Sequence, residues 1–257
     1  MTFVQKSGNS GIMKRLSWVS VADFLSAQRS IAAGADVLLV GDSLGMTVYG
    51  FLDTKSVTME MMLAHTEAVC RAVNGKIPVV ADMPIGTYET PGQALKNARQ
   101  FLRVGAHSVK LEGAVFPQIE YLQKEGIGVV GHLGLLPQQA ETFSVAGKTL
   151  EESMRIQRES KILEDLGVSE IILECVPESL GKAITDKLSI PVIGIGAGRF
   201  VDGQVLVYSD LTGRSDAYFR PKFLRRFGDV ASEEERSISA FVKSVQDGLF
   251  PAEGEKY

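Results

Sequence analysis

Cysteine is scarce in this chain, and the scarcity narrows its class. Cys70 and Cys175 are the only two, they lie far apart, and no CxxC pair is present. Two thiols without a framework suit a reducing compartment rather than a disulfide-stapled scaffold. Long apolar runs are missing too, so no stretch could span a bilayer. Residues 1–14 are polar and interrupted by Gly and Ser, without the apolar centre of a signal peptide. Positive charge is not in excess: 27 Lys and Arg stand against 31 Asp and Glu, a formal charge of -4. That balance gives no reason to expect nucleic acid or an anionic membrane as partner. No linker, low-complexity stretch or fixed-length repeat breaks the sequence. These absences predict a soluble, cytoplasmic protein.

What the chain does contain is apolar residue, 45% over 257 positions. That is enough to bury a large core without disulfides or structural metal. A (β/α)8 barrel takes about 250 residues. A single such domain, residues 1–257, would therefore use the whole chain.

Eight short apolar runs support that architecture: residues 16–21, 37–40, 79–81, 108–111, 128–130, 170–173, 192–195 and 205–207. Most are rich in Val, Ile and Leu, as strands buried on both faces are. Helix signals fill the gaps between them. Asp23 can cap a helix that stops at Gly34. From Thr58 to Val73, apolar residues recur at Met61/Met62, Ala64, Ala68/Val69 and Ala72/Val73, a period near 3.6. Thr90-Pro91-Gly92-Gln93 has a capping residue, a proline at the first helical position and Gln at the third. Thr149 and Glu152 form a capping box before a helix ending near Gly167. Pro177 opens a helix that runs through Leu188.

Strand and helix in alternation imply parallel strands with right-handed crossovers. Eight such strands close into a TIM barrel; a doubly wound open sheet is the competing arrangement. Near the C-terminus, Ser232 and Glu235 read as a capping box. Ile238, Phe241, Val242, Val245 and Leu249 then line one helix face, expected to pack under or beside the barrel.

In a barrel of this kind the reactive face lies at the C-terminal strand ends. Strand two ends Val40-Gly41-Asp42-Ser43 and strand three ends Val80-Ala81-Asp82. Strand four reads Ser108-Val109-Lys110-Leu111-Glu112, strand five ends Val130-Gly131-His132, and strand six ends Ile172-Leu173-Glu174. Five consecutive strands thus send an ionisable group to one rim. Side chains alternate along a strand, so Lys110 and Glu112 share the face that points into the barrel mouth. A lone strand-end Asp is usually a solvated charge. Asp42, Asp82 and Glu112 together repel one another unless a cation or proton compensates.

A hard divalent cation is the simplest compensation, since Mg²⁺ takes oxygen ligands and leaves positions open for substrate. Co²⁺, Mn²⁺ and Zn²⁺ also tolerate carboxylates. With Lys110 alongside, such a site suits an anionic, chelating 2-oxo acid. The metal would be a Lewis acid toward the enolate formed when the neighbouring carbon loses a proton. Glu174 is the candidate general base, although a carboxylate next to Pro177 could instead be held by backbone amides at a helix N-terminus. His132 either hydrogen-bonds Glu174 or substrate, or is a buried structural histidine. Ser43 either donates to the substrate carboxylate or forms a turn.

Gly194-Ile195-Gly196-Ala197-Gly198 invites a nucleotide reading, but Arg199 stands where GxGxxG needs its third glycine. It reads better as a tight loop that lets a ligand approach the backbone. Cys175 reads as core filler, His65 and His107 as structural, and Arg199 and Asp210 as rim residues.

Several strings together carry a resemblance from about Ser20 to Pro251. They are Leu39-Val40-Gly41-Asp42-Ser43-Leu44-Gly45-Met46, Val57-Thr58 with His65-Thr66, Val109-Lys110-Leu111-Glu112-Gly113, and Gly131-His132-Leu133-Gly134-Leu135 with Pro137-Gln138. Leu173-Glu174-Cys175-Val176-Pro177, residues 190–198, Asp202-Gly203-Gln204 and Pro221-Lys222-Phe223 follow. The chain resembles the ketopantoate hydroxymethyltransferases (3-methyl-2-oxobutanoate hydroxymethyltransferases). The resemblance implies a (β/α)8 barrel of the phosphoenolpyruvate/pyruvate type, assembled as a homo-oligomer, usually a decamer of two pentameric rings.

It also implies hydroxymethyl transfer from 5,10-methylenetetrahydrofolate to 3-methyl-2-oxobutanoate, on the route to pantothenate. By motif, Asp42, Asp82 and Glu112 would surround Mg²⁺. Asp42, Ser43, Asp82 and Lys110 would contact the 2-oxo acid, and Glu174 would accept the proton. Two departures stand out: Ala22 precedes Asp23 where the family has Tyr-Asp, and the loop over residues 143–149 is short and lacks the family's Gly/Tyr/Lys-rich run. The residues alone leave open a metal-dependent aldolase or lyase acting on a related 2-oxo acid, or a non-catalytic metal-binding barrel.

Overall fold

A computed structural model of the protein describes residues 14–215 and 221–257. Apart from Lys14, the polar N-terminal stretch lies outside the described residues. The chain divides into two compact units, Met1–Val207 and Tyr208–Tyr257.

The first unit is a closed barrel. Its strands are β1 (Leu16–Ser20), β2 (Val37–Val40), β3 (Val79–Asp82), β4 (Ser108–Glu112), β5 (Val129–Gly134), β6 (Glu170–Glu174), β7 (Val192–Ile195) and β8 (Gly203–Val207). Each is parallel to its sequence neighbours, and β1 closes onto β8 with Trp18 opposite Val205. That closure rules out the open doubly wound sheet. All eight apolar runs became strands, because each is flanked by polar or glycine turns and has no room for a helix.

Alternation along the strands sorts the side chains. Leu16, Trp18, Val37, Leu39, Val80, Val130, Ile172, Ile193 and Val205 pack together as one core cluster. Burying each side chain of this size contributes about 1.5–3 kcal/mol. Two residues further along the same strands, the same face carries Asp82 after Val80, His132 after Val130 and Glu174 after Ile172. The barrel interior is therefore apolar at one end and ionisable at the C-terminal end. The opposite face is apolar: Val109, Leu111, Ile171 and Leu173 are all fully buried.

Helices α1 (Phe24–Ala32), α2 (Leu44–Thr47), α3 (Met59–Val73), α4 (Pro91–Arg103), α5 (Phe116–Lys124), α6 (Leu150–Asp165) and α7 (Glu178–Lys187) link the strands. Three capping signals of the sequence hold in these helices. Asp23 accepts from Ser26 N–H, Thr90 from Gln93 N–H and Thr149 from Glu152 N–H. Helix α5 lacks such a signal, since its N-cap, Val115, offers no side-chain hydrogen bond.

The second unit holds α8 (Tyr208–Leu211) and α9 (Val230–Gln246). Here the expected Ser232/Glu235 capping box is wrong. The helix starts earlier, at Val230, with Asp229 at the N-cap and no side-chain cap. Its first N–H groups are instead taken by backbone carbonyls, Val230 to Thr212 and Ala231 to Gly213. The stripe of Ile238, Phe241, Val242, Val245 and Leu249 is exposed rather than buried. Among the described residues no helix is long and apolar enough to cross a membrane.

Candidate active site at the strand ends

The ionisable groups expected at the rim meet in one buried cluster. Asp82 ends β3, Lys110 and Glu112 lie on β4, His132 on β5, and Glu174 ends β6. Register brings them level: Asp82 pairs with Lys110, and Glu112 with His132. Asp42 arrives differently. Gly41 and Asp42 follow β2, where the chain turns into α2, and the Asp42 backbone N–H donates to Asp82 Oδ2 at 3.1 Å. A Cβ on Gly41 would sit 2.6 Å from Ser20 Oγ and 3.0 Å from Ser43 Oγ, so glycine allows this close crossing. Asp42, Asp82, Lys110, Glu112 and His132 are all buried, while Ser43 at the same turn is half-buried.

Lys110 is the cation at the centre. Its Nζ lies 3.0 Å from Asp82 Oδ2, 4.0 Å from Glu112 Oε1 and 3.4 Å from His132 Nδ1. His132 then bridges outward, with Nδ1 3.4 Å from Glu112 Oε1 and Nε2 3.2 Å from Glu174 Oε2. The Nε2 approach is an ion-pair contact without a well-aligned hydrogen bond. His132 is thus both buried, at 1% exposure, and in contact with Glu174.

Burial and mutual repulsion set the charges. Burial, then the neighbouring Asp82 charge, pushes the Asp42 carboxyl up to about 8. Burial also raises Asp82, against the pull of Lys110. Burial opposes the charge on Lys110, but Asp82, Glu112 and Asp42 hold it firmly protonated. For His132, burial and Lys110 favour the neutral ring, yet the Glu112 and Glu174 carboxylates beside it win and lift it to about 9. Burial opposes the Glu112 charge, which His132 and Lys110 keep below the usual carboxylate range.

Among the described residues no three His, Cys, Asp or Glu side chains form a ready-made metal cage. Mg²⁺ does not require one, because it is usually held by one or two carboxylates with water and substrate completing an octahedron. The donor set fits that pattern. Asp82 Oδ1 and Glu112 Oε1 are buried without a hydrogen-bond partner, and buried carboxylate oxygens in that condition favour a cation.

The backbone around Glu174 is tightly specified. Gly134, at φ +99°, lies opposite Glu174 in register, and a Cβ there would come within 2.2 Å of the Glu174 carbonyl oxygen. Cys175 follows in a left-handed conformation, φ +47°, which costs about 1–3 kcal/mol in a non-glycine residue. Its thiol is half-buried and pushed up to about 12 by burial and the Glu174 charge.

Other expectations change in detail. In the 194–198 loop there is a close approach to helix α7: a Cβ on Gly198 would meet Glu178 at 2.5 Å, and one on Gly181 the Ala197 carbonyl at 2.4 Å. Arg199 pairs with Glu178, its Nε 3.0 Å from Oε2. Both remaining histidines bind backbone. His107 Nδ1 accepts from Val79 N–H at 3.0 Å, and His65 contacts the Ala22 carbonyl and the Tyr49 hydroxyl.

Two buried residues without an expected role enter the cluster. Gln138 Nε2 donates to Asp42 Oδ2 at 2.8 Å, and Tyr88 donates its hydroxyl to Gln138 Oε1. Both sit on loops directly after strands, β3 for Tyr88 and β5 for Gln138, where barrel enzymes carry site residues. That position was the available signal.

The model of the ketopantoate hydroxymethyltransferase family matches residues 3–253. The chain belongs to this family. It is 46% identical over 241 residues to the 3-methyl-2-oxobutanoate hydroxymethyltransferase of Pyrobaculum islandicum, covering 91% of each chain. It is 41% identical over 257 residues to that of Clostridium botulinum strain Langeland, covering 97% of this chain and 92% of the relative.

Solved structures with the same fold are more distant. 2,3-Dimethylmalate lyase, a PEP mutase/isocitrate lyase superfamily member, aligns with a TM-score of 0.60 at 18% identity, covering 95% of this chain and 87% of the other. Phosphonopyruvate hydrolase in complex with oxalate and Mg²⁺ aligns at 0.61 and 12% identity, with the same coverage. Those likenesses concern the barrel. Membership of the ketopantoate hydroxymethyltransferase family makes the chain a transferase, which sets aside the lyase and non-catalytic readings.

Proposed function

We propose that the chain transfers a hydroxymethyl group from 5,10-methylenetetrahydrofolate to 3-methyl-2-oxobutanoate, giving ketopantoate for pantothenate synthesis. Tetrahydrofolate is released and one water consumed. The observation that carries this reading is the convergence of Asp42, Asp82, Glu112, Lys110 and Glu174 at one barrel end, in a chain of this family.

Asp42 and Asp82, with Glu112 beside them, would hold Mg²⁺ or another divalent cation. When bound, that cation supplies Lewis-acid polarisation of the 2-oxo group. Lys110 offsets the negative charge of the substrate carboxylate, and Ser43 donates to it. Glu174 takes the C3 proton; water releases the folate methylene as formaldehyde, breaking both C–N bonds to leave tetrahydrofolate, and the carbanion equivalent adds to that carbonyl carbon, whose oxygen takes a proton to become the new hydroxyl. His132, held charged between Glu112 and Glu174, aims the Glu174 carboxylate from 3.2 Å. Homo-oligomeric assembly belongs to the same reading, on family resemblance.

The test follows the C3 proton. In D₂O with 3-methyl-2-oxobutanoate and Mg²⁺, the parent loses the C3–H signal in NMR spectra, and ketopantoate accumulates once methylenetetrahydrofolate is added. Glu174→Gln abolishes exchange while retaining metal binding. Exchange by Glu174→Gln at the parent rate removes Glu174 from its role. Product formed from formaldehyde but never from the folate removes the donor.

A further inference from the structure

Gln138 is 1% exposed, and every polar atom of its side chain is engaged. Nε2 donates to Asp42 Oδ2 at 2.8 Å and to the Met83 carbonyl at 2.9 Å. Oε1 accepts from the buried Tyr88 hydroxyl. Its backbone N–H donates to Glu112 Oε2 at 3.1 Å. One uncharged residue thus holds two of the three carboxylates, Asp42 after β2 and Glu112 on β4, from a third loop.

The arrangement is directional. An amide has a donor end and an acceptor end. Turned over, Gln138 would point Oε1 at the Met83 carbonyl and the Asp42 carboxylate, two acceptors. The Tyr88 hydroxyl, on the other side, donates to Oε1 and steadies the orientation that these two acceptors set. Lys110 reaches Asp82 and Glu112, whereas the Asp42 carboxylate is oriented by the amide.

We propose that Gln138, oriented by Tyr88, is a positioning residue that fixes the Asp42 and Glu112 carboxylates relative to each other for a divalent cation. This rests on reading those carboxylates as the cation site. It goes beyond that reading by assigning two residues that act through the ligands. Hydrogen-bond partners of this kind typically change metal affinity about 10–100-fold.

Mn²⁺ alone is the probe, its binding to the full chain measured by electron paramagnetic resonance. Gln138→Met keeps the unbranched shape and removes both ends of the amide. It is expected to weaken Mn²⁺ about 10–100-fold while thermal unfolding still shows a cooperative fold. Tyr88→Phe is expected to weaken Mn²⁺ by a smaller factor in the parent and not at all in the Gln138→Met background, because its effect passes through the amide.

Asp42→Asn separates the two ways of failing. If Asp42→Asn weakens Mn²⁺ but Gln138→Met binds like the parent, the positioning role is overturned and the cation site stands. If the parent does not bind Mn²⁺, or Asp42→Asn binds it as tightly, the cation-site reading itself fails and takes this inference with it. A Tyr88→Phe loss that persists in Gln138→Met overturns the orienting link. Should Gln138→Met not fold, an unchanged affinity in Tyr88→Phe decides against the proposal.

Discussion

Lys110 Nζ lies 3.0 Å from Asp82 Oδ2, and the two residues stand directly opposite each other in the β3–β4 register. Both are buried. The pair sits among two further carboxylates, so the lysine neutralises a cluster rather than one partner. This explains how an acidic mouth can exist in a folded barrel before any substrate binds.

Removing that cation should be costly, and the cost should depend on pH. Lys110→Met removes the ion-pair partner of Asp82 and leaves His132 as the cation beside Glu112, and breaking a buried pair from one side costs about 3–5 kcal/mol. The carboxylates can escape only by taking protons, which their unfolded counterparts do only near pH 4. The folded state then binds more protons than the unfolded, so the deficit shrinks as pH falls from 7.5 toward 5. Urea unfolding at both pH values measures it; a deficit that is equal at the two would contradict the account.

His132 gives the opposite kind of pH signature. Despite burial and the nearby Lys110, Glu112 and Glu174 raise the imidazole from 6.5 to about 9. A group raised in the fold stabilises fully below its unfolded pKa and loses that contribution as pH climbs through the folded one. Parent stability should therefore drop by roughly 1–3 kcal/mol between pH 6.5 and 9 from this residue. His132→Asn should flatten that slope, and an equally steep slope in the variant would assign it elsewhere.

The barrel was legible from residue pattern alone, because strands buried on both faces must be apolar and eight such runs are spaced by helix caps. The acidic rim was legible for the same reason: Asp82, Lys110, Glu112, His132 and Glu174 each interrupt or end an apolar run. Gln138 and Tyr88 carried no signal in the sequence beyond their place on the loops after β5 and β3. Neither breaks a periodic pattern, and an amide beside Pro137 looks like any loop. Their roles depend on long-range closure, Gln138 meeting a residue 96 positions away. The α9 start escaped for a related reason. Thr212 and Gly213 cap it through backbone carbonyls, which no side-chain signal announces.

Gly134 offers a test of the Glu174 backbone. Gly134→Ala puts a methyl 2.2 Å from the Glu174 carbonyl oxygen at a φ of +99°. The left-handed conformation alone costs about 1–3 kcal/mol, and the clash must displace β6 at Glu174. Chemical denaturation should show at least that loss. C3-proton exchange should fall about 10²-fold even where the variant is fully folded, since small misplacements of a catalytic group carry such penalties. A folded Gly134→Ala with parental exchange would show that the placement of Glu174 tolerates the shift.

Asp42 sets the pH dependence of cation binding. Burial first, then the Asp82 charge, holds its carboxyl at about 8 without a cation. Metal ligands must be deprotonated, so binding displaces this proton. From pH 6 to 8, Mn²⁺ affinity should rise about tenfold per unit, with about one proton released per ion, and level off above 8. Asp42→Asn should bind weakly with a flat profile over the same range. Chelation should abolish C3-proton exchange in the parent, and Mg²⁺ should restore it. Affinity independent of pH, together with calorimetry showing no proton release in buffers of different ionisation enthalpy, would mean that Asp42 is not a ligand.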